Sequence, residues 1–426
     1  MDQNELRQTP ESEEPKEVNE ERQAEPKKEK PQKRIPLFAA IVLALILAVI
    51  VFVSTFTVMQ NRLEASVAEK ETELARFSKL DALLAFVEKQ YVRGIDESEL
   101  FENVYAAVLN ATKDPYSCYM TEEEYAEYTG ERQGSYVGIG INVVYDPEAV
   151  GMLVYRVMPG SPAEKAGIQK GDLIVGVGEI DITPETYNDA VAAVKGAEGT
   201  EVFVRVKRGE EELTLTATRG VCETVEVFYE NLDGIAYIQI TSFRSTVVTK
   251  QFTKALEQAK KDGCKAYLFD VRNNPGGDLG VICDVLDTMI ADKVLVHMVD
   301  ADGNDTTRST KTEAFLDAPM AVLCNGNSAS AAELFTADLR ENRNAYIVGE
   351  TTYGKGTMQT VRKLTDGSAV KLTNRYYNPT SNVSYDGIGI VPDLTVGLPG
   401  GPNASFYLLS QEEDSQLQAA LDYLRK

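Results

Sequence analysis

The sequence predicts a mixed α/β (α+β) protein of several domains, and three observations carry that prediction. An uncharged run lies near the N-terminus, a β-rich stretch with frequent turn residues fills the middle, and strands alternate with longer helices from Glu226 onward. The chain of 426 residues exceeds what one hydrophobic core usually organises, so two or three domains are expected.

Residues 1–34 are polar and charged with almost no apolar side chains, and are expected to be a disordered cytoplasmic tail. Residues 35–59 (Ile35–Met59) then carry no charge over 25 residues, about 37 Å as a helix, enough to span a bilayer core of about 30 Å with some tilt. A buried core helix rarely needs this length without a polar face. The apolar region of a cleavable signal peptide runs only about 7–15 residues. The segment PKKEKPQKR before the span has five basic residues against one acidic. The positive-inside rule therefore expects a single-pass anchor in the cell membrane, with the N-terminus cytoplasmic and the domains beyond it extracytoplasmic.

Residues 60–135 read as a helical N-terminal segment. RLEASVAEKETELARFSKLDALLAFVEKQYV repeats apolar residues at three- and four-residue spacings. Pro115 interrupts the pattern in ATKDPYS, and Thr121 is placed to cap the short helix TEEEYAEY. Residues 136–220 read as one small domain. Its short strands GIGINVVY, GMLVYRVM, DLIVGVGEI, EVFVRVKRG and ELTLTAT are separated by turn residues. One helix is expected at SPAEKAGI, between a Ser161 cap and a Gly167 stop, and another around TYNDAVAAVKG. Residues 221–426 alternate strand and helix as a layered α/β core does. IAYIQI, KAYLFDVR and PMAVLCN are strands, and AELFTADLRE is a helix. VTKQFTKALEQAKKDG gathers Phe252, Leu256 and Ala259 on one helical face, and DSQLQAALDYLRK closes the chain as an amphipathic helix.

Composition excludes several functions. The net charge of −23 gives no electrostatic footprint for nucleic acid, which needs clustered Lys and Arg; it reads as solubility. The five cysteines, Cys118, Cys222, Cys264, Cys283 and Cys324, form no C-x-x-C pair. That argues against a disulfide framework and a cysteine-rich metal site, and for buried free thiols. The single histidine, His297, lies in the strand-like KVLVHMVD. An HExxH zinc site needs two, and no nucleophile motif points to His297 as part of a Ser-His-Asp triad. If the protein does base-assisted chemistry, the base is expected to be Lys, Asp or Glu.

Three motifs can carry chemistry. NGNSASAAELF follows the strand PMAVLC. A strand entering a sharp turn and then a helix presents a side chain at the sheet edge and aims free helix N–H groups at it, which suits an oxyanion. Ser330-x-x-Glu333 equally fits a capping box with no function. In GETTYGKGTMQ, Lys355 lies between Gly354 and Gly356. Gly356 stands where a nucleotide-binding loop would need a hydroxyl for magnesium, which argues against a nucleotide site. The turn reads either as a solvated lysine or as one free to approach a neighbour without bulk in the way. In FDVRNNPGGDLG the carboxylate and arginine read as a structural ion pair, and Pro275-Gly276-Gly277 lets backbone come close to a ligand.

In this order, FDVRNNPGG, NGNSASAAEL, GETTYGKGTMQ and GIGIVPD closely resemble the C-terminal processing peptidases, also called tail-specific proteases. DPYSCYMTEEEY and YVGIGI match that family's approach to a PDZ domain, and the likeness covers roughly residues 78 to 424. The resemblance implies Ser330 as nucleophile, Lys355 as general base and Gln359 as the residue that orients the lysine. It implies backbone N–H groups of Gly276 and Ala331 as the oxyanion hole. It makes residues 136–220 a PDZ domain, with Gly138, Ile139, Gly140 and Ile141 as its peptide-carboxylate loop, and residues 221–426 a serine peptidase core. Two positions depart from the pattern: NPTSN at 378–382 lacks a glycine expected after the proline, and Ala332 stands where the family often has serine. The implied reaction is peptide-bond hydrolysis through an acyl-enzyme, with no metal or organic cofactor. The expected partners are a protein or peptide substrate with a free C-terminus and the membrane through residues 35–59, with no nucleic acid; a homodimer is suggested by the resemblance alone. The alternative from another class is a catalytically silent PDZ scaffold at the membrane.

Overall fold

The computed structural model describes residues 36–130, 135–313, 315–401 and 404–426. The tail expected at 1–34 lies outside the described residues. The chain forms two compact units, Met1–Ile95 and Asp96–Lys426.

In the first unit, α1 (Leu37–Gln90) is one helix of 54 residues. Its stretch Leu37–Val67 has the length and composition to cross a membrane. Leu37, Phe38, Leu43, Leu47 and Phe52 are all exposed. A helix apolar all round needs cover, which fits a membrane anchor or a signal sequence.

The second unit opens with α2 (Glu97–Asn110), β1 (Cys118–Met120) and α3 (Glu122–Gly130). Thr121 caps α3 as expected: its hydroxyl accepts the Glu124 N–H at 3.2 Å, and Glu124 accepts the Thr121 N–H at 2.9 Å. A β-rich module follows, with β2 (Ser135–Gly138), β3 (Ile141–Asp146), β4 (Gly151–Val157), β5 (Leu173–Val177), β6 (Ile180–Asp181), β7 (Glu201–Arg208), β8 (Glu211–Thr218) and β9 (Gly220–Glu223). The short α4 (Pro162–Lys165) starts at the expected Ser161 cap, and α5 (Tyr187–Val194) precedes β7. Ile139, Met152, Val154, Ile174, Val204 and Val206 fill its core. The ribbon of β2 with β9 joins residues on both sides of position 220.

The α/β core contains β10 (Val227–Leu232), β11 (Ile235–Ile240), α6 (Val247–Lys261), β12 (Ala266–Asp270), α7 (Leu279–Leu286), β13 (Val294–Asp300) and β14 (Asp305–Ser309). It continues through β15 (Met320–Cys324), α8 (Ala331–Arg343), β16 (Tyr346–Gly349), β17 (Thr357–Lys363), β18 (Ala369–Asn378), β19 (Leu394–Thr395) and α9 (Ser415–Leu424). One sheet has the order β10-β11-β12-β15-β16-β19 and is parallel from β11 onward. β12 and β15 are buried at every residue, which is why both read as continuous apolar runs. α6 turns Phe252, Leu256 and Ala259 into the larger core, as its periodicity predicts. Leu417, Ala420 and Leu421 of α9 pack in a separate cluster with Leu268, Ala321 and Leu323. In the second sheet β18 pairs with β1, β13 and β17. The cysteines are free; Cys222, Cys283 and Cys324 are buried, and Cys118 and Cys264 are half-buried. His297 Nδ1 lies 2.7 Å from Asp305 Oδ2 on the β13–β14 hairpin.

Candidate active site

Parallel strands place their C-terminal ends on one edge of the sheet, where α/β folds form crevices. Here β12, β15 and β16 each end there in a turn, and three turns build the site.

The turn after β12 hangs on Arg272, which is fully buried. Its guanidinium lies 2.7 Å from Asp270, 2.8 Å from Asp414 and 3.8 Å over the Phe406 ring. Burial alone would lower its pKa, but Asp270 and Asp414 override that and hold it more firmly protonated than usual. A buried charge survives only when paired in this way, and the ion pair read from the sequence is the one observed. Beyond it, Asn273 and Asn325 exchange hydrogen bonds of 2.9 and 2.8 Å, so the first two turns are tied together. Gly276 follows at φ +92°, where an added Cβ would lie 2.6 Å from Ser330 Cβ and 2.8 Å from Ala331 N. Glycine is required there for conformation and for space.

The turn after β15 presents Ser330 at φ 57°, ψ −119°, a conformation that strains a residue with a side chain. Glu333 supplies its half of a capping box by accepting the Ser330 N–H at 2.8 Å. The Ser330 hydroxyl accepts a hydrogen bond from Tyr377 Oη at 3.0 Å. Ala331 N–H opens α8 with no hydrogen-bond partner among the described residues, whereas Gly276 N–H donates to Asn274 Oδ1 at 2.8 Å. The two expected oxyanion donors therefore differ: one is open and one is engaged.

The turn after β16 carries Lys355, and Glu333 reaches it too. This fully buried carboxylate accepts Thr352 Oγ1 at 2.6 Å, Gly354 N–H at 2.6 Å and Lys355 N–H at 2.8 Å, besides Ser330 N–H. Burial raises its pKa, and the four donors pull the other way. One side chain thus fixes the spacing of the Ser330 and Lys355 backbones. The Lys355 ammonium donates to Gln359 Oε1 at 3.2 Å and lies 3.9 Å over the Tyr116 ring. Gln359 in turn donates to Thr373 Oγ1 of β18 at 3.0 Å. Burial and then the nearby charge of Lys371 lower the Lys355 pKa to about 8, against the opposing pull of Asp114 and Glu333. Ser330, Ala331, Lys355, Gln359, Lys371 and Tyr377 line one cavity of about 590 Å³. Among the described residues no hydrogen bond joins Ser330 Oγ to Lys355 Nζ.

Gly138, Ile139, Gly140 and Ile141 lie elsewhere, in the β-rich module. They border a groove of about 90 Å³, also lined by Val143, Val191 and Lys195, along β3 and α5. Gly140 has φ +79°, and a Cβ there would meet Ser161 Cβ at 2.5 Å.

Comparison with known proteins assigns the chain to a family. The model of peptidase family S41 matches residues 234–396, which contain all three turns. The carboxy-terminal processing protease CtpA of Bacillus subtilis (strain 168) is 31% identical over 360 residues, covering 84% of this chain and 77% of its own. The chain belongs to peptidase family S41, among the C-terminal processing peptidases. This S41 peptidase is a serine-type hydrolase. A PDZ-domain model matches its residues 153–208, inside the β-rich module, and the N-terminal-domain model of the activating protease CtpB matches 43–124. A protein described as a CtpA-like serine protease, from Staphylococcus haemolyticus (strain JCSC1435), is 29% identical over 376 residues, covering 86% of this chain and 74% of its own. A solved structure assigned to the S41 proteases, from Bacteroides fragilis NCTC 9343, shares the fold with a TM-score of 0.54 at 17% identity, covering 75% of this chain and 90% of that one.

Sequence reading missed four members of the site. Glu333 was legible as a cap partner but not as a tie to the Lys355 turn. Tyr116, Thr373 and Tyr377 enter through the register of β1 and β18; their only local signal is the aromatic and β-branched composition of those segments.

Proposed function

We propose that this S41 peptidase is a membrane-anchored endopeptidase that takes up protein C-termini through its PDZ domain and cleaves peptide bonds with Ser330 and Lys355. The observation that carries the reading is a lysine of lowered pKa, held by Gln359, in the same cavity as a serine on a strained turn. Serine at its own pKa is a poor nucleophile and needs a base during attack. Neutral Lys355 Nζ takes the hydroxyl proton as Ser330 Oγ bonds to the substrate carbonyl carbon. Charge on the carbonyl oxygen develops toward the N–H of Ala331, with Gly276 as second donor once it leaves Asn274. Collapse of that intermediate breaks the C–N bond, and Lys355 returns the proton to the departing amine. Water then releases the acyl group from Ser330 by the same base. No hydrogen bond joins Lys355 Nζ to Ser330 Oγ among the described residues, so the amine and the hydroxyl must be drawn together for the proton to pass. That requirement fits a site assembled when substrate binds.

The test is a pair of variants assayed on a protein substrate with a free C-terminus. Ser330→Ala and Lys355→Arg should each lose activity by about three orders of magnitude or more, because a guanidinium stays protonated and cannot act as the base. Substantial turnover by either variant would overturn the role proposed for that residue, whereas a wild type without turnover would favour the scaffold reading. Labelling of Ser330 by a serine-acylating probe separates the two directly.

The uncharged stretch Ile35–Met59 and the basic cluster before it give the proposed topology, with the N-terminus cytoplasmic and the catalytic domains outside. Protease added to intact wall-stripped cells should digest most of the chain. Protection of that bulk, with clipping of only the short N-tail, rules the topology out.

A further inference from the structure

We infer that Tyr116 is a positioning residue for Lys355: its ring holds the lysine in its ammonium form, and so sets both where the base rests and the pH at which it becomes available. The inference rests on the reading of Lys355 as general base.

Tyr116 belongs to the motif DPYSCYM, far from Lys355 in the chain, and its place is fixed by a short chain of hydrogen bonds. Asp114 accepts the Tyr116 N–H at 3.1 Å and the Ser117 hydroxyl. Ser117 Oγ accepts the Thr373 N–H at 3.0 Å, and β1 then pairs with β18 directly. The hydroxyl of the same Thr373 accepts the Gln359 amide at 3.0 Å. Tyr116 and Gln359, the two groups in contact with the Lys355 amine, are therefore both registered on β18 at one residue. The amine lies 3.9 Å from the ring centroid, well inside the roughly 6 Å range of a cation–π contact.

The two holders act differently. Gln359 Oε1 accepts a hydrogen bond from an ammonium or from a neutral amine. The aromatic face attracts only the ammonium. Charged groups face Lys355 from every side. Lys371 of β18 and Arg244 beyond β11 favour loss of its proton, while Asp114 and Glu333 of α8 favour its retention. Tyr116 itself faces Tyr353, Asp386 and Asp114, and burial followed by those neighbours raises its own pKa, so it stays neutral. Replacing it by another neutral side chain leaves every formal charge around Lys355 unchanged. A change in the titration of the lysine then reports the ring.

The experiment follows kcat/KM against pH for the full-length chain in detergent on a peptide substrate. The comparison is wild type, Tyr116→Leu and Tyr116→Phe. Leucine keeps apolar cover over the amine but has no aromatic face, so the acid limb should move to lower pH by about 0.4 to 1.5 units. Phenylalanine keeps the face, and its limb should coincide with that of the wild type. A Tyr116→Leu limb that stays in place, or moves to higher pH, overturns the inference, since a purely structural role would reduce activity without moving the limb. Tyr116→Met, which also lacks a ring, gives the same reading if the leucine variant does not fold. A wild-type profile with no acid limb would remove the Lys355 base itself, which is a different failure from a limb that Tyr116 does not move.

Discussion

At the scale of single residues, the role proposed for Lys355 as base makes its pKa decisive near neutrality. At its ordinary value of 10.5, roughly one lysine in 3,000 would be neutral at pH 7; at about 8, roughly a tenth is. On the proposed mechanism the base is neutral Lys355, so kcat/KM should rise with pH through about 8 and level off above it. A profile that falls as pH rises through 8, or one that tracks His297→Ala, contradicts the assignment. Ser330, Lys355 and Gln359, which line one cavity, sit in short motifs whose local geometry shows in the sequence, a strand–turn–helix for the serine and a glycine-flanked turn for the lysine. Tyr377 was not legible. Its hydroxyl bonds both Ser330 Oγ and the Lys355 carbonyl, at 3.0 and 3.1 Å, but it sits within a ten-residue strand of alternating exposure. Nothing local distinguishes it from a packing tyrosine. The same holds for Tyr116, whose partner in sequence order is more than half the chain away.

At the scale of elements, the site depends on the spacing of two turns, and Glu333 of α8 sets it. Its oxygens accept from four donors on two turns, and each buried donor left without a partner costs about 1–3 kcal/mol. Glutamine has the same shape but turns an NH₂ toward N–H groups. Glu333→Gln should therefore lower stability by about 2–5 kcal/mol and activity by more than the melting temperature alone accounts for. Denaturant unfolding alongside kcat/KM measures both, and a variant as stable and active as the wild type removes Glu333 from this role. Element identity was well represented in the sequence where burial imposes a period. α6, β12, β15 and α9 appear where their apolar residues predict them. β17 and β18 were not anticipated, because TMQTVRK and AVKLTNRYYN carry polar residues on both faces. Residues of both strands line the cavity around Lys355 while others, such as Leu372 and Tyr376, are exposed, so neither imposes an apolar stripe. A strand that builds a polar site loses the signal that would reveal it.

At the scale of the whole molecule, the proposed uptake of C-termini by the PDZ domain raises the question of how a bound chain end would influence Ser330. Within the second unit, the β4 strand of the PDZ domain meets the core through Tyr155, whose ring stacks on Tyr407 at 4.1 Å, and Arg156, which lies 3.3 Å over Phe228 and donates to Gln239 at 3.1 Å. Tyr407 adjoins Phe406, and Phe406 covers Arg272, the anchor of the turn that holds Gly276 against Ser330. These contacts are contiguous, but contiguity alone is not coupling. A bound peptide activates only if it binds the assembled site better than the resting one. The Tyr155–Tyr407 stack is one contact through which such a preference would pass, and the one that adjoins Phe406 and Arg272. An aromatic pair of this kind contributes about 0.5–1.5 kcal/mol beyond its buried area, and that bounds what its removal can do. Tyr407→Ala should reduce the stimulation of cleavage by an added free-carboxylate peptide by about 2- to 13-fold, while peptide affinity for the groove stays within a similar factor. The measurement is the ratio of kcat/KM on a short internal substrate with and without that peptide, for wild type and variant. The same ratio in both would mean the PDZ domain delivers chain ends without adjusting the site. A wild-type ratio of one would mean that peptide binding and catalysis are independent in this protein.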